Sequence, residues 1–153
     1  MLGQCLIEKD SFVREAIFTS LTVIGNDTVV KGLIDLLRSD DPAIRNEAIE
    51  ALRQLQEKFS LFVPLLLSDP DPDVHILTIN VLEAYPTDQV EGWLLELLGT
   101  DEDPNVCATA ADLLAEIGSK KAVPALEQLK KRFASEPYLV YVADLALQRI
   151  AGV

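Results

Sequence analysis

The sequence contains few histidines, cysteines and tryptophans. Its 153 residues include one histidine, two cysteines and one tryptophan. It has no Gly-rich phosphate loop, no G-x-S-x-G nucleophile elbow and no H-E-x-x-H metal motif. The cysteines, Cys5 and Cys107, lie far apart and do not indicate a disulfide framework, which favours a cytoplasmic location. We therefore expect no catalytic residue, no metal ion and no cofactor.

Basic residues and long apolar runs are also scarce. The 13 lysines and arginines stand against 25 acidic residues, and a net charge of -12 repels the phosphates of nucleic acids. The longest apolar runs, such as FVPLLL (62–67), are too short to span a bilayer, so no membrane partner is expected. With 49% hydrophobic residues, 7 glycines and 8 prolines, the chain should nevertheless fold around a core.

What the sequence does contain is a repeat. Five segments align at spacings of 31, 30, 32 and 33 residues. They are SFVREAIFTSL, PAIRNEAIEAL, PDVHILTINVL, PNVCATAADLL and PYLVYVADLAL, which begin at Ser11, Pro42, Pro72, Pro104 and Pro137. Because all five agree, they indicate one structural unit that is used repeatedly.

The apolar positions of the repeat follow the period of a helix. Positions 3, 7, 11 and 14 of the aligned segments are almost all apolar. Steps of four, four and three residues place them on one face of an α-helix and not on a strand. The four columns are Val13, Ile44, Val74, Val106 and Leu139; Ile17, Ala48, Thr78, Ala110 and Ala143; Leu21, Leu52, Leu82, Leu114 and Leu147; and Ile24, Leu55, Tyr85, Ile117 and Ile150.

An Asp-Pro pair opens three of these segments. Aspartate is a good N-cap because its carboxylate accepts hydrogen bonds from the free backbone N–H groups of a helix start, and proline suits the first helical turn. Asp41-Pro42, Asp71-Pro72 and Asp103-Pro104 are therefore predicted helix starts. Asp10-Ser11 is a weaker start, and Glu136-Pro137 has a poorer cap.

A second apolar pattern lies between these A helices. TVVKGLIDLL (28–37), FSLFVPLLL (59–67), VEGWLLELL (90–98) and AVPALEQLK (122–130) predict a B helix after each of the first four A helices. Gly25, Pro86 and Gly118 mark helix ends, and Pro64 predicts a short or kinked second B helix.

Stacked helix pairs define the expected fold. We predict an all-α protein, an α-solenoid with a right-handed superhelix of about five helix pairs. It should form one domain over residues 1–153 and be incomplete at both ends. Residues 5–10 match the last turn of a B helix, and no B helix follows the fifth A helix.

The segment AVPAL (122–126) and the D-P-x-V openings carry a family resemblance. They resemble HEAT-like repeats, especially the short type of roughly 30 residues that is named after the phycobilisome lyases. The resemblance extends over nearly the whole chain. It implies scaffolding and protein binding, as in most proteins with this repeat.

His75 and Cys107 occupy the same column of neighbouring A helices, so their side chains should lie near each other. A metal site of this kind requires three or four suitable ligands, and no others align there. We expect ordinary surface or boundary positions.

Two aromatic residues are the best candidates for a binding surface. Phe62 and Trp93 take equivalent B-helix positions, in a column with Gly32 and Ala125. If this column faces outward, the rings form the floor of an apolar groove on the surface that is concave in HEAT-like solenoids; if it faces inward, they fill the core. The other candidate residues are Leu61 and Leu65 beside the rings and Asp35, Glu91, Glu96 and Glu127 as an acidic rim.

The last A helix is unusually apolar. Tyr138, Val140, Tyr141 and Leu145 replace polar residues of earlier repeats or lie beside such positions. Docking against another chain or repeat and burial on the fourth repeat both account for this composition.

These patterns favour a non-enzymatic protein-binding scaffold or adaptor. Its B-helix surface would bind a basic, partly apolar protein or peptide. One alternative is a lyase-type or other enzyme-complex subunit that presents a protein substrate. Another is an assembly module that docks through its uncapped ends, with self-association through the C-terminal helix.

Overall fold

The computed structural model describes residues 11–85 and 88–152, which form α-helices and turns without any strand. The chain divides into two compact units, of which the first ends at Ser68 and the second begins at Asp69. Unit 1 contains α1 (Ser11–Ile24), α2 (Asp27–Leu36), α3 (Pro42–Arg53), α4 (Gln56–Ser60) and α5 (Val63–Leu66). Unit 2 contains α6 (Pro72–Leu82), α7 (Asp88–Thr100), α8 (Pro104–Ile117), a 3-10 turn (Lys120–Ala122), α9 (Val123–Arg132) and α10 (Pro137–Ala151). The all-α prediction is confirmed for the described residues.

The helix starts lie where the repeat predicts them. The side chains of Asp41, Asp71 and Asp103 each accept a hydrogen bond from a backbone N–H in the first turn of α3, α6 and α8. Glu136 makes no such bond to α10, in agreement with its weaker capping. Gly25 follows α1 with a φ of 53°, a left-handed conformation that glycine adopts without strain. The predictions for residues 5–10 and Pro86 lie outside the described residues.

Unit 1 packs its A helices side by side and has an interrupted second B helix. α1 packs against α3, and α2 packs against both α3 and α4. Proline lacks a backbone N–H and cannot continue the hydrogen-bond ladder of α4, so the B segment breaks at Leu61 and Phe62 and restarts as α5 with Pro64 in its first turn. The fully buried side chains here include Phe59 and Val63 of this segment and Leu33 of α2. The prediction of a short or kinked helix is confirmed.

Unit 2 is more regular. α8 packs against α6, α7 and α10, while α9 packs against α7 and α10. The A helices therefore form one layer and the B helices another, as in a stack of helix pairs. The largest fully buried side chains come from both layers; they are Ile79, Leu82, Leu94, Leu114, Leu126, Leu129 and Leu139.

The apolar columns form the core with two clear exceptions. The seventh position is buried in every repeat, including Thr78, whose hydroxyl donates to the Val74 carbonyl at 2.7 Å. Val13 and Ile24 of α1 are instead 41% and 51% exposed. Within the described residues, α1 packs against one A helix, α3, on one side. Part of the apolar face of α1 therefore stays exposed.

Candidate functional site

The B-helix candidates of unit 1 lie at the break between α4 and α5. Leu61 and Leu65 are 77% and 72% exposed, and Phe62 between them is half-buried. Phe62 lies in the turn that precedes α5, so the prediction that it occupies a helical position equivalent to Trp93 is wrong. Asp35 is exposed on α2, which packs against α4. The break therefore presents two leucines to solvent.

The B-helix candidates of unit 2 lie on α7 and α9. Trp93 is half-buried in the middle of α7, so it is neither a core residue nor a fully exposed one. Glu96 on α7 and Glu127 on α9 are exposed, and these two helices pack against each other. The predicted groove floor that joins Phe62 to Trp93 stays a prediction.

Glu91 is not part of an exposed acidic rim. It is 6% exposed, and its Oε1 accepts hydrogen bonds from the backbone N–H of Ser119 at 2.7 Å and from the Ser119 hydroxyl at 2.8 Å. The carboxylate thus satisfies backbone and side-chain donors in the turn that leads from α8 towards α9. This placement corrects the sequence-based prediction, which had no means of seeing the Ser119 donors.

Asp101 contacts the side chains of both His75 and Cys107. Its Oδ2 lies 2.7 Å from His75 Nδ1, and the other ring nitrogen of His75 lies 2.6 Å from the Asp69 carbonyl oxygen. The Cys107 thiol donates to the backbone carbonyl of Asp101 at 3.4 Å. The expected proximity of His75 and Cys107 therefore arises through their shared neighbour. His75 occupies a boundary position as predicted, whereas Cys107 is fully buried, so the expected surface or boundary position is wrong for the cysteine.

The thiol of this polar cluster is not activated for chemistry. Burial raises the pKa of the Cys107 thiol to about 11, although the neighbouring Arg132 guanidinium acts in the opposite direction. The thiol is therefore protonated at neutral pH and is a poor nucleophile. No group of three or more His, Cys, Asp and Glu residues within 11–85 and 88–152 is arranged to hold a metal ion.

The structure contains a cleft between α7 and α9 that the sequence patterns did not predict. It has a volume of about 560 Å³, and the two charged residues that line it are Lys131 and Arg132. The remaining lining residues are Leu95, Leu98, Gly99, Ala125 and Gln128. The available signal was the basic run at 130–132, which stands out in an acidic chain.

A second groove of about 390 Å³ lies on the A-helix side of unit 1, between α1 and α3. Its charged lining residues are Glu15, Glu47 and Glu50, and its apolar ones include Phe18 and the 82% exposed Val23. Arg14 crosses from α1 to α3, where its Nε lies 3.1 Å from Glu47 Oε2. Helix periodicity placed these residues away from the buried stripe, but it gave no sign of a concave surface.

The C-terminal helix buries one face and exposes another. Leu139, Val142, Ala143 and Ala146 are buried where α10 packs against α8 and α9. Tyr138, Tyr141 and Leu145 are 69%, 59% and 37% exposed, and Val140 is half-buried. Burial on the fourth repeat thus explains only part of the apolar composition of this helix.

Comparison with known proteins identifies the class of this fold. The paired helices, repeated caps and layered packing are those of an α-helical repeat protein. A family model for HEAT repeats matches residues 1–61 and 59–137, and the chain therefore belongs to the HEAT-repeat family. Both the α-solenoid prediction and the resemblance to HEAT-like repeats are confirmed. No helix within the described residues is both long enough and apolar enough to cross a membrane.

Individual proteins also resemble this chain. An uncharacterized phycocyanin operon protein Z from Pseudanabaena tenuis is 27% identical over 157 residues, which cover 97% of this chain and 77% of that protein. Its name agrees with repeats of the phycobilisome-lyase type. Two crystal structures of engineered proteins share the fold at a TM-score of 0.50 and 23% identity. Both matches cover 98% of this chain, and they cover 78% and 47% of the engineered chains.

Proposed function

We propose that this protein is a non-enzymatic scaffold that binds a basic, partly apolar protein or peptide on its B-helix surface. The observation that carries the proposal is the interruption of the second B helix. A continuous amphipathic helix turns its leucines inward, whereas the break leaves Leu61 and Leu65 more than two-thirds exposed. Exposed leucines contribute little to folding and are available to a partner.

The distribution of charge on the chain supports a positively charged partner. The chain carries a net charge of -12, and Asp35 is exposed on the B helix next to α4 in unit 1. Trp93 supplies a half-buried aromatic surface in unit 2, with Glu96 and Glu127 exposed on the same pair of helices. Lysine and arginine side chains of a partner would be attracted to these carboxylates, and its apolar residues would cover the leucines.

A selection from a library of random peptides displayed on phage tests the proposal. We expect one class of enriched peptides to contain Lys or Arg beside apolar residues. Their dissociation constants should rise roughly tenfold in the double variant Leu61→Ser/Leu65→Ser, because two apolar contacts are lost. Fluorescence anisotropy with synthetic peptides gives these constants.

Val23→Ser is the matched control for this experiment. Val23 is 82% exposed in the same unit but lies on an A helix, so its replacement removes apolar surface away from the B helices. We expect it to leave basic-peptide binding unchanged. Equal binding by the double variant and the unmodified protein, with circular dichroism unchanged, would reject the B-helix surface.

A second candidate function is that of an enzyme-complex subunit that presents a protein substrate. The phycocyanin operon protein among the relatives favours it, and it makes phycocyanin the first protein to test as a partner. Biolayer interferometry with apo- and holo-phycocyanin would detect the complex. Binding that is insensitive to Leu61→Ser/Leu65→Ser would assign such a role to another surface.

Assembly through α10 is a third candidate. The exposed Tyr138, Tyr141 and Leu145 lie three and four residues apart and so share one face of the helix. If this face joins two copies, Tyr141→Ser should shift sedimentation from dimer to monomer. A protein that sediments as a monomer at all concentrations rejects self-association.

A further inference from the structure

The cleft between α7 and α9 differs in charge from the rest of the protein. Leu95, Leu98 and Ala125 give it an apolar lining, and both of its charged residues are basic. Those two residues, Lys131 and Arg132, belong to a chain whose acidic residues outnumber its basic ones by 25 to 13. The cleft thus combines apolar surface with positive charge in about 560 Å³, a volume within the usual range of ligand pockets.

Arg132 is held in a fixed position at this cleft. Its Nη2 donates to the backbone carbonyl of Asp101 and to Cys107 Sγ, and its guanidinium lies 4.7 Å from the centroid of the Phe133 ring. Its Nε and Nη1 groups donate to no other group among the described residues. A guanidinium that is immobilised by one nitrogen and has further donors available is well suited to recognise a carboxylate.

Lys131 adds a second positive charge that no carboxylate neutralises. Its neighbour Lys130 is engaged with Asp144 at 2.6 Å, and this hydrogen bond raises the Lys130 pKa. Lys131 is exposed and forms no ion pair within the part of the chain that the structure describes. The basic residues also complement the negative end of the α9 dipole, but that role does not require them to line an apolar cleft.

We propose that this cleft is a docking site for an acidic, partly apolar segment of a partner protein. A carboxylate of the segment would bind Arg132 and Lys131, and a neighbouring apolar side chain would contact Leu95, Leu98 and Ala125. A protein segment supplies both groups side by side, whereas a phosphate backbone has no apolar side chain to place against Leu95, Leu98 and Ala125. The site goes beyond the B-helix proposal because the preferred charge of the partner is opposite.

The same phage selection tests this site with a different set of variants. We expect a second class of enriched peptides, rich in Asp or Glu beside Leu, Ile or Phe. Their dissociation constants should rise roughly tenfold in Arg132→Gln and severalfold in Lys131→Gln, because charge-assisted hydrogen bonds are lost. Leu61→Ser/Leu65→Ser should leave this class unaffected, so the two proposals can fail independently.

Three controls separate docking from a purely structural role. Lys120→Gln removes an exposed lysine that does not line the cleft and should not change binding. Ala125→Trp fills the cleft without changing its charge and should abolish binding. Lys131 forms no ion pair within the described residues, so Lys131→Gln should reduce binding while it lowers the melting temperature only by the small contribution of its charge to the helix dipole, even if Arg132→Gln destabilises the fold.

Each remaining outcome overturns the proposal. The first is a selection that yields no acidic class of peptides. The second is that acidic peptides bind Lys131→Gln and Ala125→Trp with the same affinity as the unmodified protein. The third is that a synthetic peptide binds equally after every Glu is replaced by Gln. Backbone NMR shifts on adding the acidic peptide should change first at Leu95, Leu98 and Ala125. Shifts confined to unit 1 would assign the peptide to a different surface.

Discussion

The two units are built from the same repeat but present opposite chemistry in their grooves. In unit 1, the groove between α1 and α3 is lined by the carboxylates of Glu15, Glu47 and Glu50. In unit 2, the charged residues of the cleft between α7 and α9 are Lys131 and Arg132. The former groove lies between A helices and the latter between B helices. One helix-pair template therefore supports grooves of either charge.

The units also differ in the continuity of their B helices. Unit 1 divides its second B segment into α4 and α5, of five and four residues, whereas unit 2 forms α7 with 13 residues and α9 with 10. Helices of one turn are not stable alone and depend on tertiary packing. The interrupted segment is also the B segment on which Leu61 and Leu65 are exposed.

Removing a large buried side chain from a B segment should have the largest effect and should separate the units. Phe59 of α4 and Leu94 of α7 are both 0% exposed. We expect Phe59→Ala to cost about 3–5 kcal/mol of unfolding free energy and Leu94→Ala about 2–5 kcal/mol. Because α4 and α5 depend on packing, Phe59→Ala should also abolish amide-exchange protection over 56–66.

Hydrogen exchange measured by mass spectrometry checks this contrast. The amides of α7 should keep most of their protection in Leu94→Ala, since a helix of 13 residues retains its own hydrogen-bond ladder. Equal loss of protection in α7 and in 56–66 would show that the interruption at Pro64 has no energetic consequence.

The buried carboxylate of unit 2 gives the next largest effect. Glu91 occupies the B-helix position that corresponds to the fully buried Val30 of unit 1. Glu91→Ala leaves the Ser119 N–H without its acceptor, and we expect a loss of about 2–3 kcal/mol in chemical denaturation. Glu91→Gln keeps an acceptor oxygen and should cost less. Ser119→Ala removes the hydroxyl bond to Glu91 and the bond that the hydroxyl accepts from the Lys121 N–H, and its cost should lie between those of the two Glu91 variants. Equal effects of all three variants would contradict the geometry.

Most of the fold could be predicted from the sequence because its signals are local. The Asp-Pro pairs specify helix starts at Pro42, Pro72 and Pro104 through backbone chemistry within a few residues. The seventh-position column is buried in every repeat because a period of 3.6 residues decides which face turns inward. The break in the second B helix also followed from one residue, Pro64.

The candidate site could be predicted only in part because its features depend on partners distant in sequence. Glu91 is buried by donors that lie 28 residues further along the chain. Arg132 reaches the carbonyl of Asp101, which is 31 residues away, and thereby becomes part of a cleft. A helical stripe shows which residues face away from the core, but it does not show where two neighbouring helices leave a concave surface between them.

Helix capping should produce a smaller effect that distinguishes the last helix from the others. Asp41 in unit 1 and Asp103 in unit 2 cap α3 and α8 with their side chains, whereas Glu136 does not cap α10. Asp41→Ala and Asp103→Ala should each cost about 1 kcal/mol. Glu136→Asp should stabilise the protein by up to about 1 kcal/mol, because the shorter side chain suits the N-cap. A decrease in the melting temperature of Glu136→Asp would contradict this interpretation.

The smallest expected effects come from two surface ion pairs, one of which is tested in acid through Asp27 and the other at alkaline pH through Lys130. In unit 1, Lys58 Nζ lies 3.0 Å from Asp27 Oδ1 and joins α4 to α2, and its hydrogen bond lowers the Asp27 pKa. A carboxylate with a lowered pKa contributes stability above its unfolded-state pKa and loses it as the pH falls through the folded-state value. The melting temperature of Lys58→Gln should therefore lie slightly below that of the unmodified protein at neutral pH, and the difference should vanish in acid.

The Lys130–Asp144 pair of unit 2 should lose its contribution at the other end of the pH scale. Its hydrogen bond raises the Lys130 pKa, and a raised lysine pKa gives stability that is complete below the unfolded-state value and disappears as the pH rises through the folded-state value. From neutral to alkaline pH, the deficit of Lys130→Gln should shrink only as the pH rises through the raised folded-state pKa of Lys130. Both deficits should decrease at high salt, since exposed pairs are screened. Thermal melts across pH would contradict the assignment if the Lys58→Gln deficit persisted below the pKa of aspartate.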